Sequence, residues 1–315
     1  MRWDDRIGRR LRLKDLHTLE TVAEIGSMAK ASQHLALSQP AISKTISDME
    51  HMLGAPLLDR SARGVELTEQ GRILVGRTRI IFDEVKQGIK EIEHLADPTQ
   101  GQVRIGTIEP VSPVLSEIIC RMTRHYPRIT FDVVVGDTDM LVRKLRDRTL
   151  DVVLTRWNAL TQADDLEAKT LYTSTLAIMA DKSHPLAKGK RLRLPDLTQE
   201  RWALSPPDSF FGRVVVDLFQ RRKLPLPRNT VTTTSIFMRL NLMANGHFLS
   251  VLPTTILRHP SNTAWLRALK VDLGDSTGPI ATITIKGRRS VGALKLFHET
   301  GSLVCKDFAS DRARR

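Results

Sequence analysis

Cysteine is scarce: Cys120 and Cys305 are the only two in 315 residues. They form no C-x-x-C pair and no Cys/His cluster with zinc spacing, so a structural metal site is not expected. Each thiol reads as a small buried hydrophobe. The alternative, a redox switch, requires the two thiols within disulfide reach and at least one exposed. Long apolar runs are also missing, and nothing approaches the ~18 residues of a membrane helix. The N-terminus places Asp4 and Asp5 among arginines and has no apolar h-region, so a secretory signal is not expected and the cytoplasm is the expected location. The sequence lacks a G-x-S-x-G elbow, a P-loop and a dinucleotide fingerprint after a strand, and His184, His247, His259 and His298 occur singly. An enzyme is therefore not expected, and no cofactor is implied. Solenoid repeats and low-complexity tracts are absent too.

What is present suits a soluble globular chain of two or three domains at roughly 100–200 residues each. Hydrophobic residues make up 41% and charged residues 26%. The net charge of +13 invites a nucleic-acid partner, but its placement matters. Residues 1–95 hold 15 basic and 14 acidic side chains, whereas residues 96–315 hold 33 and 21. The excess thus lies outside the segment whose local pattern points to DNA.

That pattern begins with Leu13, Leu16, Leu19, Val22, Ala23 and Ile25, at nearly helical spacing, stopped by Gly26. Ser27 can cap a short helix from Met28 to Leu35, and Leu35-Ala36-Leu37 makes a turn. Ser38 can cap a third helix, Gln39 to Leu53, with Pro40 tolerated in the first turn. Its apolar stripe is Ile42, Ile46, Met49 and Leu53; the other face carries Gln39, Ser43, Lys44, Ser47 and Asp48. Pro56 to Thr68 reads as a strand, a basic tip at Arg60 and Arg63, and a return strand. Thr68 to Ala96 reads as one long helix whose stripe of Leu74, Ile81, Val85, Ile89, Ile92 and Leu95 needs a partner, for which a second copy is the natural choice.

A helix-turn-helix works by bracing one short helix so that its polar front enters the major groove. Small residues are needed where the helices meet, here Ala29 and Ala31. Gln39 and Ser43 can hydrogen-bond base edges, Pro40 can touch a thymine methyl, Lys44 and Ser38 can reach phosphate, and Ser47 is a further DNA-contact candidate on the same face. Arg60 and Arg63 on the wing would follow the backbone or the minor groove. Three helices alone would fit a plain bundle; the wing and long helix in the same order favour the DNA reading.

Residues 13–71 resemble the DNA-binding domain of the LysR-type transcriptional regulators, through LHTLETVAEIGSMAKASQHLALSQPAISKTISDMEHMLGAPLLDR and RGVELTEQG. Leu58 stands where that family often has Phe, and the opening MRWDDRIGRR is longer than usual before the first helix. The resemblance implies a long linker helix and then a two-lobed, Rossmann-like effector domain of periplasmic-binding-protein type II. It further implies a homodimer through the linker helix, a tetramer beyond that, and contact with RNA polymerase. Double-stranded DNA as an interrupted palindrome and control of uptake or catabolic genes follow from the same resemblance. The expected fold is α/β with an N-terminal all-α winged helix-turn-helix: residues 1–67 for DNA, 68–97 for the linker and 102–315 for the effector. Within the last, one lobe takes 102–168 with 275–308 and the other takes 169–274.

The texture after Gln102 agrees with such lobes. Strands are expected at Val103–Ile108, Thr130–Val135, Asp151–Leu154, Leu176–Ala180, Trp202–Leu204, Val231–Thr234, Leu249–Leu252 and Ile280–Ile285. Helices are expected between them, with a closing helix at Val291–Phe308. A cleft beyond strand C-termini collects helix N-termini, so loops there are ligand candidates. Ser112, Thr138, Ser205 and Ser235 are the polar candidates, with helix capping the competing role for each. Arg156 and Trp157 sit just after a strand, placed to pair with or stack on a ligand; core packing is the competing role for Trp157. The basic excess of this region suits an anionic effector, a sugar-like one being the alternative, and a solvated basic surface is the plainer reading. A free-standing solute-binding protein would not carry the DNA block, and a sequence-blind DNA binder would not need the cleft.

Overall fold

The computed structural model describes residues 10–61, 64–157, 161–188, 192–227, 230–274 and 277–312, with the backbone alone at 60, 61, 230, 260, 277 and 307–312. The chain divides into two compact units, residues 1–92 and 93–315.

In the first unit, α1 (Leu13–Ile25), α2 (Met28–Leu35) and α3 (Gln39–Leu53) pack around Leu19, Val22, Met28, Ala31, Ile42, Ile46 and Met49. Gly26 and Gly54 end α1 and α3 in the left-handed conformation that a helix C-terminus favours. Ala31 is fully buried at the helix junction, but Ala29 is exposed. Two residues turn a helix by about 200°, so one face cannot hold both alanines.

A two-stranded antiparallel wing follows, β1 (Leu58–Ser61) and β2 (Gly64–Leu67), before α4 (Glu69–Ala96). The Glu50 carboxylate accepts from Leu57 N at 2.8 Å and Leu58 N at 3.3 Å, fixing the entry to the wing. Thr68 Oγ1 donates to Pro56 O at 2.7 Å and accepts from Gly71 N at 2.9 Å, which caps α4. Gly71 is required by close approach, since a Cβ there would stand 2.0 Å from Leu57 O.

In the second unit the sheet order is β4-β3-β5-β11-β6-β9-β7-β8, with β10 also on β6. The strands are β3 (Gln100–Thr107), β4 (Arg128–Val135), β5 (Val152–Arg156), β6 (Leu166–Asp181), β7 (Arg201–Leu204), β8 (Thr230–Thr232), β9 (Phe248–Pro253), β10 (Leu266–Ala268) and β11 (Thr277–Ile285). The expected strand Leu176–Ala180 is only the end of β6. Residues 166–175 of β6 pair with β11, and Leu176–Met179 pair with β9, so one strand serves both lobes. Its first half alternates weakly in hydrophobicity because both neighbours and faces differ there, which hid it from a periodicity reading.

Helices α5 (Ser112–His125), α6 (Thr138–Arg146) and α10 (Gly292–Arg312) cover the first lobe, and α7 (Phe210–Arg221), α8 (Ile236–Gly246) and α9 (Pro260–Trp265) belong to the second. On β5, Val152 and Leu154 join the core under α5 and α10, while Val153 joins the core under α6. That is the two-residue period of a strand buried on both faces.

Asp151, at the start of β5, is 2% exposed and anchors the first lobe. It accepts from Arg104 Nε at 3.1 Å and Nη2 at 2.7 Å, and from Arg288 Nη2 at 3.1 Å. Cys305 is buried and burial pushes its thiol up to about 12, whereas Cys120 is exposed; both are free. A thiol held that high is a poor nucleophile. Among the described residues no helix is long and apolar enough to cross a membrane.

Thr68→Ala is expected to cost about 1–2 kcal/mol, from loss of a cap, read as an earlier midpoint in chemical denaturation followed by a probe on the N-terminal unit. Asp151→Ala removes the buried carboxylate that Arg104 and Arg288 share and is expected to destabilise the second unit by about 3–5 kcal/mol, with Asp151→Asn milder, checked by urea unfolding of the full chain.

Candidate DNA-contact face and effector cleft

The back of α3 is buried through Ile42, Ile46 and Met49, which leaves its front to solvent. Ser38, Gln39, Pro40, Lys44 and Ser47 are exposed there, and Ser43 is half-buried. Ser38 Oγ accepts from Ala41 N at 3.3 Å, so it caps the helix while its own O–H remains a donor. The turn before α3 uses Ala36 at φ 52°, a left-handed position that a small side chain tolerates. The wing is held against the turn after α1, where Val65 N donates to Gly26 O at 3.1 Å. Gly64 permits this approach, because a Cβ would meet Gly26 O at 2.9 Å. Arg60 lies on β1, with its side chain outside the description, and Arg63 lies outside the described residues.

A second constellation lies where β3, β5 and β7 end and α7 and α8 begin. Arg156, the last residue of β5, is 5% exposed, and its Nε and Nη1 have no hydrogen-bond partner among the described residues. Its guanidinium carbon sits 3.7 Å from the Phe210 ring centroid and 5.3 Å from that of Phe211. Burial lowers its pKa to about 10. Trp157 is half-buried and packs against the core under α6, so packing is part of its role.

Arg239, on the first turn of α8, is 1% exposed and lies 5.9 Å from the Phe211 centroid. Phe211 therefore brings two buried guanidinium groups together. From the other lobe, Glu109 follows β3, and its Oε1 accepts from Ile236 N at 2.9 Å and Phe237 N at 3.2 Å, at the start of α8. Glu109, Phe210 and Phe211 follow strand ends, the places where the sequence suggests ligand candidates, but none of the three side chains was singled out there. Arg239 carried a usable signal, a lone cation inside the apolar run IFMRLNLM.

The polar candidates divide. Ser235 caps α8 by accepting from Met238 N at 3.2 Å, and Ser205 is buried at the end of β7. Thr138 does not cap α6, because Asp137 accepts from Met140 N instead; the Thr138 hydroxyl lies 2.9 Å from that of Thr155. Ser112 opens α5 without a side-chain cap, and α7 is capped by Ser209, which accepts from Gly212 N at 3.1 Å. Thr138, Arg156 and Ser235 thus stand at element ends, as do Ser112 and Ser205.

Comparison with known proteins agrees with both halves. The profile described as the bacterial regulatory helix-turn-helix protein, lysR family, matches residues 13–72, and that of the LysR substrate binding domain matches residues 96–301. The chain is 26% identical over 281 residues to the HTH-type transcriptional regulator GbpR of Azospirillum brasilense, covering 89% of this chain and 82% of that protein. It shares the fold of full-length OxyR from Pseudomonas aeruginosa, with TM-score 0.67 and 19% identity over 95% of each chain. It is also similar to full-length CbnR complexed with its target DNA, with TM-score 0.53 and 23% identity over 94% of this chain and 100% of that one. The chain belongs to the LysR family of transcription regulators, non-enzymatic proteins that join a DNA-binding helix-turn-helix to a substrate-binding domain.

Proposed function

We propose that this regulator binds an interrupted palindrome in double-stranded DNA as a dimer and that a small-molecule effector in the interlobe cleft modulates it. The observation that carries the reading is the division of α3, whose back is buried and whose front is polar and exposed. Gln39 and Ser43 read base edges, Pro40 contacts a thymine methyl, and Ser38, Lys44, Ser47, Arg60 and Arg63 hold the sugar–phosphate backbone. The capture of CbnR with its target DNA supports DNA as the partner.

Dimerisation is supported by α4. Ile81, Val85, Ile89, Ile92 and Leu95 are all exposed on it, from 40% at Ile81 to 85% at Leu95. A stripe of that length on one helix face is costly in water and is covered by a second copy of the same helix. Pairs of dimers forming a tetramer, and contact with RNA polymerase at uptake or catabolic promoters, complete the reading by family resemblance. In the cleft, Ser112, Thr138, Arg156, Trp157, Ser205 and Ser235 are the proposed effector contacts. The effector acts by binding two arrangements of the domain unequally.

Selection of bound fragments from random duplex DNA at near-physiological salt is expected to enrich an interrupted palindrome. Enrichment of nothing, with binding that simply fades with salt, defeats the specific reading. Lys44→Ala is expected to weaken binding to every sequence and to lower the salt slope by about one. Gln39→Ala and Ser43→Ala are expected to relax preference by about 1–3 kcal/mol at one base pair, seen in the same selection. Ile89→Asp places a charge in the stripe and is expected to shift the chain to monomer in sedimentation at micromolar concentration; an unchanged dimer excludes α4 as the interface.

A further inference from the structure

The N-terminus of α8 is an anion site by its backbone alone. The first amides of a helix lack intrahelical acceptors, and the helix dipole adds positive potential there. Here three of those amides are satisfied, one by Ser235 and two by Glu109, a residue 127 positions earlier on the other lobe. A carboxylate from within the chain therefore occupies the place that an anionic ligand would take.

The surroundings carry more positive charge than Glu109 neutralises. Arg239 Nη1 donates to Val251 O at 3.3 Å, while its Nε has no partner among the described residues and it is all but fully buried. Burial holds its pKa down to about 10, with Glu109 pulling the other way. Arg156 adds a second buried guanidinium with two unpartnered nitrogens. Gly278 leaves the space for it, since a Cβ there would stand 2.9 Å from Arg156 Nη1. Two buried cations against one carboxylate leave one positive charge of the three groups unmatched. Buried guanidinium N–H groups without acceptors are costly, and a planar carboxylate is the acceptor that fits their fork.

We propose that α8's N-terminus, Arg239 and Arg156 form a carboxylate site that the chain fills with its own Glu109, so that the cleft's effector is a small organic carboxylate competing with Glu109. The proposal rests on the reading of the cleft as the effector site. Glu109 holds the two lobes together in the unliganded chain. An incoming carboxylate takes the α8 amides and the arginines and releases Glu109, which frees one lobe from the other at the point where β3 ends. Phe210, stacked on Arg156, gives the ligand's apolar body a flat wall.

Chemical rescue tests this on the full chain. Glu109→Ala is expected to speed hydrogen exchange at the Ile236 and Phe237 amides roughly ten- to hundredfold, the loss expected for hydrogen bonds to a charged acceptor. Sodium acetate at roughly 10–100 mM is expected to restore the protection saturably, whereas acetamide and sodium chloride of equal ionic strength are not. Glu109→Gln, which keeps the side chain's size, serves as the second variant and is expected to show the same selectivity for acetate. Unchanged exchange in both variants overturns the Glu109 contact. Lost protection that acetate fails to restore makes Glu109 a structural cap only and overturns the carboxylate site. Restoration by inorganic phosphate rather than acetate overturns the ligand class. DNA affinity measured on the same samples separates the two readings: rescue of exchange with no change in DNA affinity supports the carboxylate site and overturns its role as an effector switch.

Discussion

The effector domain depends on one strand that belongs to two sheets. β6 runs for 16 residues, pairs first with β11 and then with β9, and carries the backbone of one lobe into the other without a break. Because main-chain hydrogen bonds along both halves must be satisfied, the strand cannot be moved without disrupting both ladders. The lobes are therefore joined at their sheet, and the ends of β3, β5 and β7 meet the starts of α7 and α8 in one place. That convergence turns ordinary helix termini and a strand-end arginine into a candidate binding site.

Charge is used differently in the two halves of the protein. The DNA-binding unit is close to neutral overall, and its proposed contacts are a few polar groups on a rigid helix: exposed Gln39 and Lys44 and half-buried Ser43. Such an arrangement places the burden on geometry rather than on bulk attraction, which suits base reading. The second unit carries the excess of basic residues, and part of it is buried. Asp151 pairs with both Arg104 and Arg288 within one lobe, so that cluster is structural. Among the described residues Arg239 feels the charge of Glu109 from the other lobe, whereas Arg156 has no carboxylate paired with it. Glu109 instead spends its carboxylate on the Ile236 and Phe237 amides, a contact between the lobes that holds by charge-assisted hydrogen bonds.

The helix-turn-helix was legible because every cue is local. Gly26, Ser38, Pro40 and Gly54 punctuate the helices, and Ile42, Ile46 and Met49 repeat at helical spacing. Thr68 as a cap, and the exposed stripe of α4, were equally readable. Ala29 was misplaced at the helix junction because small size alone does not say which face a residue occupies. In the second unit most strands and helices were located to within a few residues, yet β6 was seen only in its second half, and β10 and α9 were not expected at all. Thr138 was expected to share a capping role that Asp137 holds, since two adjacent residues competent to cap look alike in a sequence.

By itself, the sequence determined the order of domains, the polar face of α3, the need of α4 for a partner and the placing of an arginine at the end of β5. These follow from periodicity, caps and side-chain chemistry, which act over a few residues. Only the tertiary structure decided that Glu109 meets the amides of Ile236 and Phe237, and that Phe211 stands between Arg156 and Arg239. Those contacts join residues tens to more than a hundred positions apart, and their pairing depends on how the shared strand folds the two lobes together, a property that no local pattern encodes.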